Sequence, residues 1–448
     1  FSGDNYFYNN YATYNGPETS DEYGAYGASI YIQQTLREAF TLEGLYFEGD
    51  STSHAGSSIF IYGIDSSGIN RGNDIKVYGC TFTNCKSDSY GGAISTGIAK
   101  TSGDVSGNND IIISYCVFNG CEASGGGGAI YVPLGTKRGD ESTAIEYCQF
   151  INCDSYDGSA IYCASHEFTF EHSTFENIKK GPSYGKVIIS LYLKDAPTNP
   201  LAARSSITNC TFTRCQHSIL KTDEDSNANN IVTFEQCKFE SNTITAEKKL
   251  NQGLFDFGNI KSLSLNIESC NFTSNTGSCI LAEAGITKCS FINCRFEKNS
   301  CSQGSVFYVK RVSSIEDKEY VTINNCQFID STVDATSGSV NAALHIPLNY
   351  VIFEGINTFI GNKATYKGSS VSKQNCACGG SILFECSTNT DATFANLQIM
   401  NSFASNYGGG IGIYCETGSQ IKLNFAFENC LFSQCESETG GAVYLDEN

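Results

Sequence analysis

The sequence predicts an all-β chain folded as a right-handed, single-stranded parallel β-helix, a solenoid of about fourteen rungs with three short strands in each. Three observations lead there. A Phe-centred motif returns along the whole chain, a Gly-led motif follows it, and apolar residues spaced by two precede it.

The Phe motif carries Cys or Asn two residues before the ring and Asn or Cys three residues after it. Its clearest copies surround Phe82, Phe118, Phe150, Phe212 and Phe432. Looser copies fall at Phe7, Phe47, Phe175, Phe239, Phe272, Phe296, Phe328, Phe359 and Phe403. Recurrence at a period of a few tens of residues is the mark of a repeat architecture.

Before each Cys, apolar residues sit three and usually five positions back: Ile75 and Val77 before Cys80, Ile111 and Ile113 before Cys116, Leu265 and Ile267 before Cys270. Spacing of two is a strand with one inward face. The odd step from the second apolar residue to the Cys flips that phase, which requires a corner. After the Phe comes the third strand, led by glycine: Gly91 to Ser95, Gly127 to Tyr131, Gly158 to Tyr162, Gly304 to Tyr308 and Gly440 to Tyr444.

Three such strands and their corners need roughly twenty residues, and the shortest interval, Phe272 to Phe296, only just exceeds that. One repeat is therefore one rung. Stacked rungs bury the inward residues and pair the backbone at about 4.8 Å, which predicts a rod of roughly 65 Å. Only Gln33 to Phe40 has any helical look. The glycine pairs are placed at one corner, where positive φ is needed. Asn10, Asn242, Asn275, Asn299, Asn362 and Asn406 are placed at another, in the left-handed region, with stacked amides bonding rung to rung.

Gly-Gly-Ala followed by Ile or Val, alternating with Phe-x-x-Asn, resembles the repeats of the chlamydial polymorphic outer membrane proteins, a pattern also seen in surface proteins of parasitic protists. The likeness covers almost the whole chain. It implies a right-handed β-helix displayed on a cell surface for adhesion or surface architecture. Cys85, Cys121, Cys153, Cys215 and Cys435 stand where that family has Asn, and the chain shows no C-terminal membrane barrel.

Composition narrows the function. With 28 Lys and Arg against 47 Asp and Glu, the formal charge of -19 repels phosphate backbones, so nucleic acid is excluded as a partner. No stretch approaches the length of an apolar membrane span. Phe at position 1 implies that an initiator Met and leader have been removed. The 22 Cys argue for an oxidising exterior, and hence an extracellular or cell-surface location. No paired CxxC motifs occur, and the five His are scattered, so neither metal nor cofactor is expected.

In the pairs Cys80 and Cys85, Cys116 and Cys121, Cys148 and Cys153, Cys210 and Cys215, and Cys430 and Cys435, the first thiol faces inward with the Phe and the second sits at the corner. Two readings remain open for them. They are small buried hydrophobes, or they form disulfides within a rung or between adjacent rungs, where a spacing near 4.8 Å satisfies the Cα range of about 4.4 to 6.8 Å. Cys376, Cys378 and Cys386 are expected to pin a local loop.

Length variation is concentrated after the Gly-led strand, at 95–110, 133–143, 194–206 and 310–320, and insertions on one side of a solenoid often form its binding face. The sequons at Asn209 and Asn271 lie beside inward residues, so alternation turns them outward as glycosylation candidates. The first and last repeats read as ordinary rungs, which implies either a segment of a longer solenoid or rods joined end to end into a filament.

The expected role is thus structural and adhesive, with other surface proteins, glycans or further copies of the chain as partners. The alternative is a pectin-degrading lyase or glycoside hydrolase. Asn389, Thr390 and Asp391 match one element of the polygalacturonases, whose companion elements are missing.

Overall fold

A computed structural model describes residues 3–14, 25–34, 39–63, 74–98, 105–106, 110–133, 142–165, 167–178, 187–192, 204–216, 218–223, 230–244, 253–256, 263–282, 286–301, 306–309, 320–336, 339–347, 351–372, 375–386, 390–415 and 423–446. They group into two compact units, 1–232 and 233–448. Each is a parallel β-helix.

In the first unit the Phe-centred strands run Asn5–Tyr8, Leu45–Glu48, Thr81–Thr83, Val117–Asn119, Gln149–Ile151, Thr174–Glu176 and Thr211–Thr213, each paired in parallel with the next. Their register sets Phe7, Phe47, Phe82, Phe118, Phe150, Phe175 and Phe212 in one column. Successive rings stack with centroids 4.7 to 5.0 Å apart. The strands before them, such as Asp74–Tyr78 and Asp110–Ser114, and the Gly-led strands after them, such as Ile94–Ser95 and Ile130–Val132, stack in the same way. Ile75, Val77, Ile111 and Ile113 are buried, as the spacing of two requires.

The second unit repeats the plan. Phe239, Phe272, Phe296, Phe328 and Phe359 form its column. Register then places Ile399 on Phe359 and Phe432 on Ile399. The copy assigned to Phe403 is therefore corrected: Phe403 lies past the corner, half-buried, with the Lys363 ammonium 5.4 Å from its ring centre. Any apolar side chain fills the column, and Leu397-x-Ile399 is the true inward pair.

Three further corrections follow. Among the described residues, five rungs of each unit carry a fourth short strand just past the Phe corner, for example Lys86–Ser87 on Glu122–Gly126 and Thr332–Ala335 on Lys363–Tyr366. Most of its inward positions hold small residues, among them Ser87, Ala123 and Ala364, with Val333 the larger exception, which is a weak hydrophobic signal for a strand. In the window from Gln33 to Phe40, Gln33 and Gln34 end one strand and Ala39 and Phe40 begin the next, and residues 35–38 lie outside the described residues.

The left-handed corner is also displaced by one residue. Two residues after every column position, from Asn9 through Asn84 and Gly120 to Asn401 and Gln434, φ is positive. The Asn and Cys of the motif come one residue later and point inward. Asn242, Asn275, Asn299 and Asn362 are buried, and their amides do bond rung to rung: Asn242 Nδ2 donates to Asn275 Oδ1 and Asn275 Nδ2 to Asn299 Oδ1, each at 3.0 Å.

Candidate functional site

The interior is filled with side chains, so chemistry must lie outside. On the first unit, the corner three residues before each Phe from Phe47 to Phe212 is left-handed as well, and its occupants are Gly44, Gly79, Tyr115, Tyr147, His172 and Asn209. Gly and Asn adopt this backbone readily, whereas a bulky side chain costs roughly 1–2 kcal/mol there. Tyr115, Tyr147 and His172 nevertheless hold φ of 56°, 53° and 48°. Their amides are fixed by bonds to the next rung, from Tyr115 to the Glu146 carbonyl and from Tyr147 to the Glu171 carbonyl.

These rings form an outer row. Tyr115 and Tyr147 stack at 4.8 Å and 3°, and Tyr147 and His172 at 4.7 Å and 6°. Tyr78 precedes them at 5.2 Å from Tyr115 but tilted by 56°. All four rings are exposed, Tyr115 by 52%.

Beside Tyr78 a shallow groove of about 230 Å³ is lined by Thr41, Glu43, Lys76, Val77, Tyr78, Ile112 and Ser114. Parallel pairing sets Glu43 against Tyr78, Tyr78 against Ser114, Ser114 against Glu146, and Glu146 against Glu171. The Ser114 hydroxyl donates to Glu146 Oε2 at 3.5 Å. The row thus runs beside a line of carboxylates and hydroxyls.

The structure brings none of this together with the sequence-predicted sites except Asn209, the next corner after His172. Asn209 is half-exposed, and Asn271 is exposed on a Phe strand of the second unit. The missed signal was plain: Tyr115, Tyr147 and His172 occupy one repeat position in three consecutive rungs.

All 22 cysteines are free thiols. Both members of the pairs Cys80 and Cys85, Cys116 and Cys121, Cys148 and Cys153, and Cys210 and Cys215 are buried, while Cys430 and Cys435 are half-buried. The second thiol of each pair points inward rather than sitting on the corner. Cys121 Sγ donates to the Phe82 carbonyl at 3.7 Å and Cys153 Sγ to Phe118 at 3.7 Å. Burial pushes the Cys121 thiol well above the ordinary range and Cys215 up to about 12, which makes them poor nucleophiles.

The 376–378 segment is held by packing. Cys376 and Cys378 sit against Leu383, Tyr407, Tyr414 and Tyr444, with Cys376 Sγ 2.8 Å from Tyr414 Oη. Cys386 lies on another strand, opposite Cys415.

Asn389 and most of the insertions at 95–110, 133–143, 194–206 and 310–320 lie outside the described residues. Among the described residues no group of His, Cys, Asp and Glu is arranged to hold a metal, and no helix is long and apolar enough to cross a membrane. No family model, no curated protein and no solved structure matches the chain.

Proposed function

We propose that this protein is a secreted or cell-surface β-helix with a structural and adhesive role, akin to the repeats of the chlamydial polymorphic outer membrane proteins, that carries partners or glycans on its side. The observation that supports this most strongly is the exposed Tyr115, Tyr147 and His172 row, three stacked rings in consecutive rungs at a left-handed corner that other rungs give to Gly, Asn, Ser or Gln. Backbone strain kept at the surface, where nothing in the core needs it, marks function rather than stability. The stacked, side-chain-filled interior supplies a stiff frame that repeats this surface at one rung per step. On this reading Asn209 and Asn271 carry glycans, and rods of this kind contribute to a surface layer or filament.

The test is to shave intact cells that make the protein with a protease and to measure binding of the purified full chain to cells and matrix. Loss of the protein on shaving, together with saturable binding, supports the role. Protection inside intact cells overturns it.

A further inference from the structure

We infer that the groove beside Tyr78 and the Tyr115, Tyr147 and His172 row form one binding site for a neutral, linear oligosaccharide, with one sugar ring in the groove and the following units along the row. The inference rests on the recognition role proposed above and names its ligand.

The groove has the mixed character that a sugar needs. A pyranose offers an apolar C–H face and a rim of hydroxyls that both donate and accept. Because Tyr78 is tilted by 56° from Tyr115, its face is not covered by the stack, and Ile112 lies beside it. Around this apolar floor stand the Thr41 and Ser114 hydroxyls, the Glu43 carboxylate and the Lys76 ammonium. At about 230 Å³ the groove is smaller than the roughly 300–1,000 Å³ that encloses a drug-sized molecule, which suits one ring of a longer chain.

The row continues the groove at sugar-like intervals. Ring centroids step by 5.2, 4.8 and 4.7 Å, close to the length that one linked pyranose adds. The stacked rings hide their faces from solvent and turn their edges outward, so the row recognises hydroxyls by hydrogen bonds while the groove supplies the stacking.

Charge sets the class of sugar. Glu43, Glu146 and Glu171 flank the path in a protein of formal charge -19, so uronate or sulfated chains are repelled. Stability does not account for the rings. Each stacked pair returns roughly 0.5–1.5 kcal/mol, no more than the strain of the corner it occupies.

The experiment titrates the full chain with linear hexasaccharides of β-linked glucose, xylose and mannose, and with oligogalacturonate as the acidic counterpart. It uses wild type, Tyr78→Thr and the double variant Tyr115→Asn/Tyr147→Asn; Asn suits the corner and Thr the strand, so the fold survives, which near-UV circular dichroism checks. The expected result is that at least one neutral hexasaccharide binds, that oligogalacturonate binds at least tenfold more weakly, and that both variants lose at least tenfold in affinity. Failure of every neutral chain to bind, a preference for the acidic chain, or unchanged affinity in the folded variants overturns the inference. Measuring the same variants for adhesion separates it from the broader role. Adhesion lost without any sugar binding replaces the glycan by a protein partner and keeps the recognition role, whereas no binding to any surface by wild type removes both.

Discussion

The thiol of Cys121 donates to the carbonyl of Phe82 on the preceding rung, 3.7 Å away, in the place where Asn275 donates through Nδ2 to the carbonyl of Phe239 at 2.9 Å. Cys and Asn alternate at this position because both bring a donor to the same backbone group while fitting inside the coil. They differ in strength. A thiol is a weak donor, whereas Asn275 Oδ1 also accepts from the Asn242 amide at 3.0 Å.

Replacing these two residues should therefore cost different amounts. Cys121→Val loses one weak bond and is expected to destabilise by under about 1 kcal/mol. Asn275→Leu leaves the buried Asn242 N–H without its acceptor and is expected to cost about 1–3 kcal/mol. Urea denaturation of both variants measures this. Equal losses would refute the distinction between the two columns.

The buried thiols give the protein an alkaline limit. Cys215 is raised to about 12 by burial, against about 8.5 for a free thiol. A raised folded pKa favours the protonated, folded state, so this contribution is complete below about 8.5 and falls as pH rises from there toward 12. Native protein at neutral pH should react slowly with iodoacetamide, and denatured protein rapidly at all 22 thiols. Fast native labelling of Cys215 by mass spectrometry would contradict its burial.

Asp50 stands in the column that the second unit fills with Asn. It is buried, and its carboxylate accepts from the Asn10 amide at 3.0 Å and the Ser29 hydroxyl at 2.5 Å. Burial raises its carboxyl above the usual range, and these hydrogen bonds offset the rise in part. The stability it contributes is full below the unfolded value of about 3.9 and is lost as pH rises through the folded value. Asp50→Asn removes that titration. The variant should exceed wild type by on the order of 1 kcal/mol at neutral pH, with the gap closing in acid. Melting curves across the acid range decide it, and a variant no more stable at neutral pH would show that the carboxylate is well accommodated.

At Gly127, φ is 65° and an added Cβ would run into the Ile130 carbonyl of its own corner. The first position of the pair is glycine in the described rungs from Gly27 to Gly440 apart from Asn341, while the second accepts Ala28, Ser57 or Ser159. Gly127→Ala is expected to cost well over about 1 kcal/mol, measurable as a lower denaturation midpoint. A neutral result would mean that the corner is pliable.

Most of the fold was legible because a solenoid writes its interior into the sequence once per rung. The Phe and Cys positions, the apolar pairs and the glycines each recur at fixed offsets, and all reappear as columns. What escaped was whatever has no hydrophobic signature. Ile399 fills the column as well as Phe does, so the nearby Phe403 drew the register away from it. The fourth strand buries Ser87 and Ala123, small residues that carry little hydrophobic signal. The corner itself fell one residue from the inward Asn because its occupants, among them Arg214, Lys298 and Gln434, share no side-chain chemistry. The aromatic row was missed for a different reason: Tyr115, Tyr147 and His172 stand at a corner between the apolar pair and the Cys, a position whose occupants vary from Gly to Tyr and so carry no motif.

Ring-to-ring contact along the first column is the most direct test of the stacked core. In protein labelled selectively at Phe, stacking predicts nuclear Overhauser effects from Phe82 to Phe118, Phe118 to Phe150 and Phe150 to Phe175, whose centroids lie 4.8, 5.0 and 4.8 Å apart. Rings that show effects only to neighbours within their own repeat would contradict a shared interior, and with it the frame on which the outer row depends.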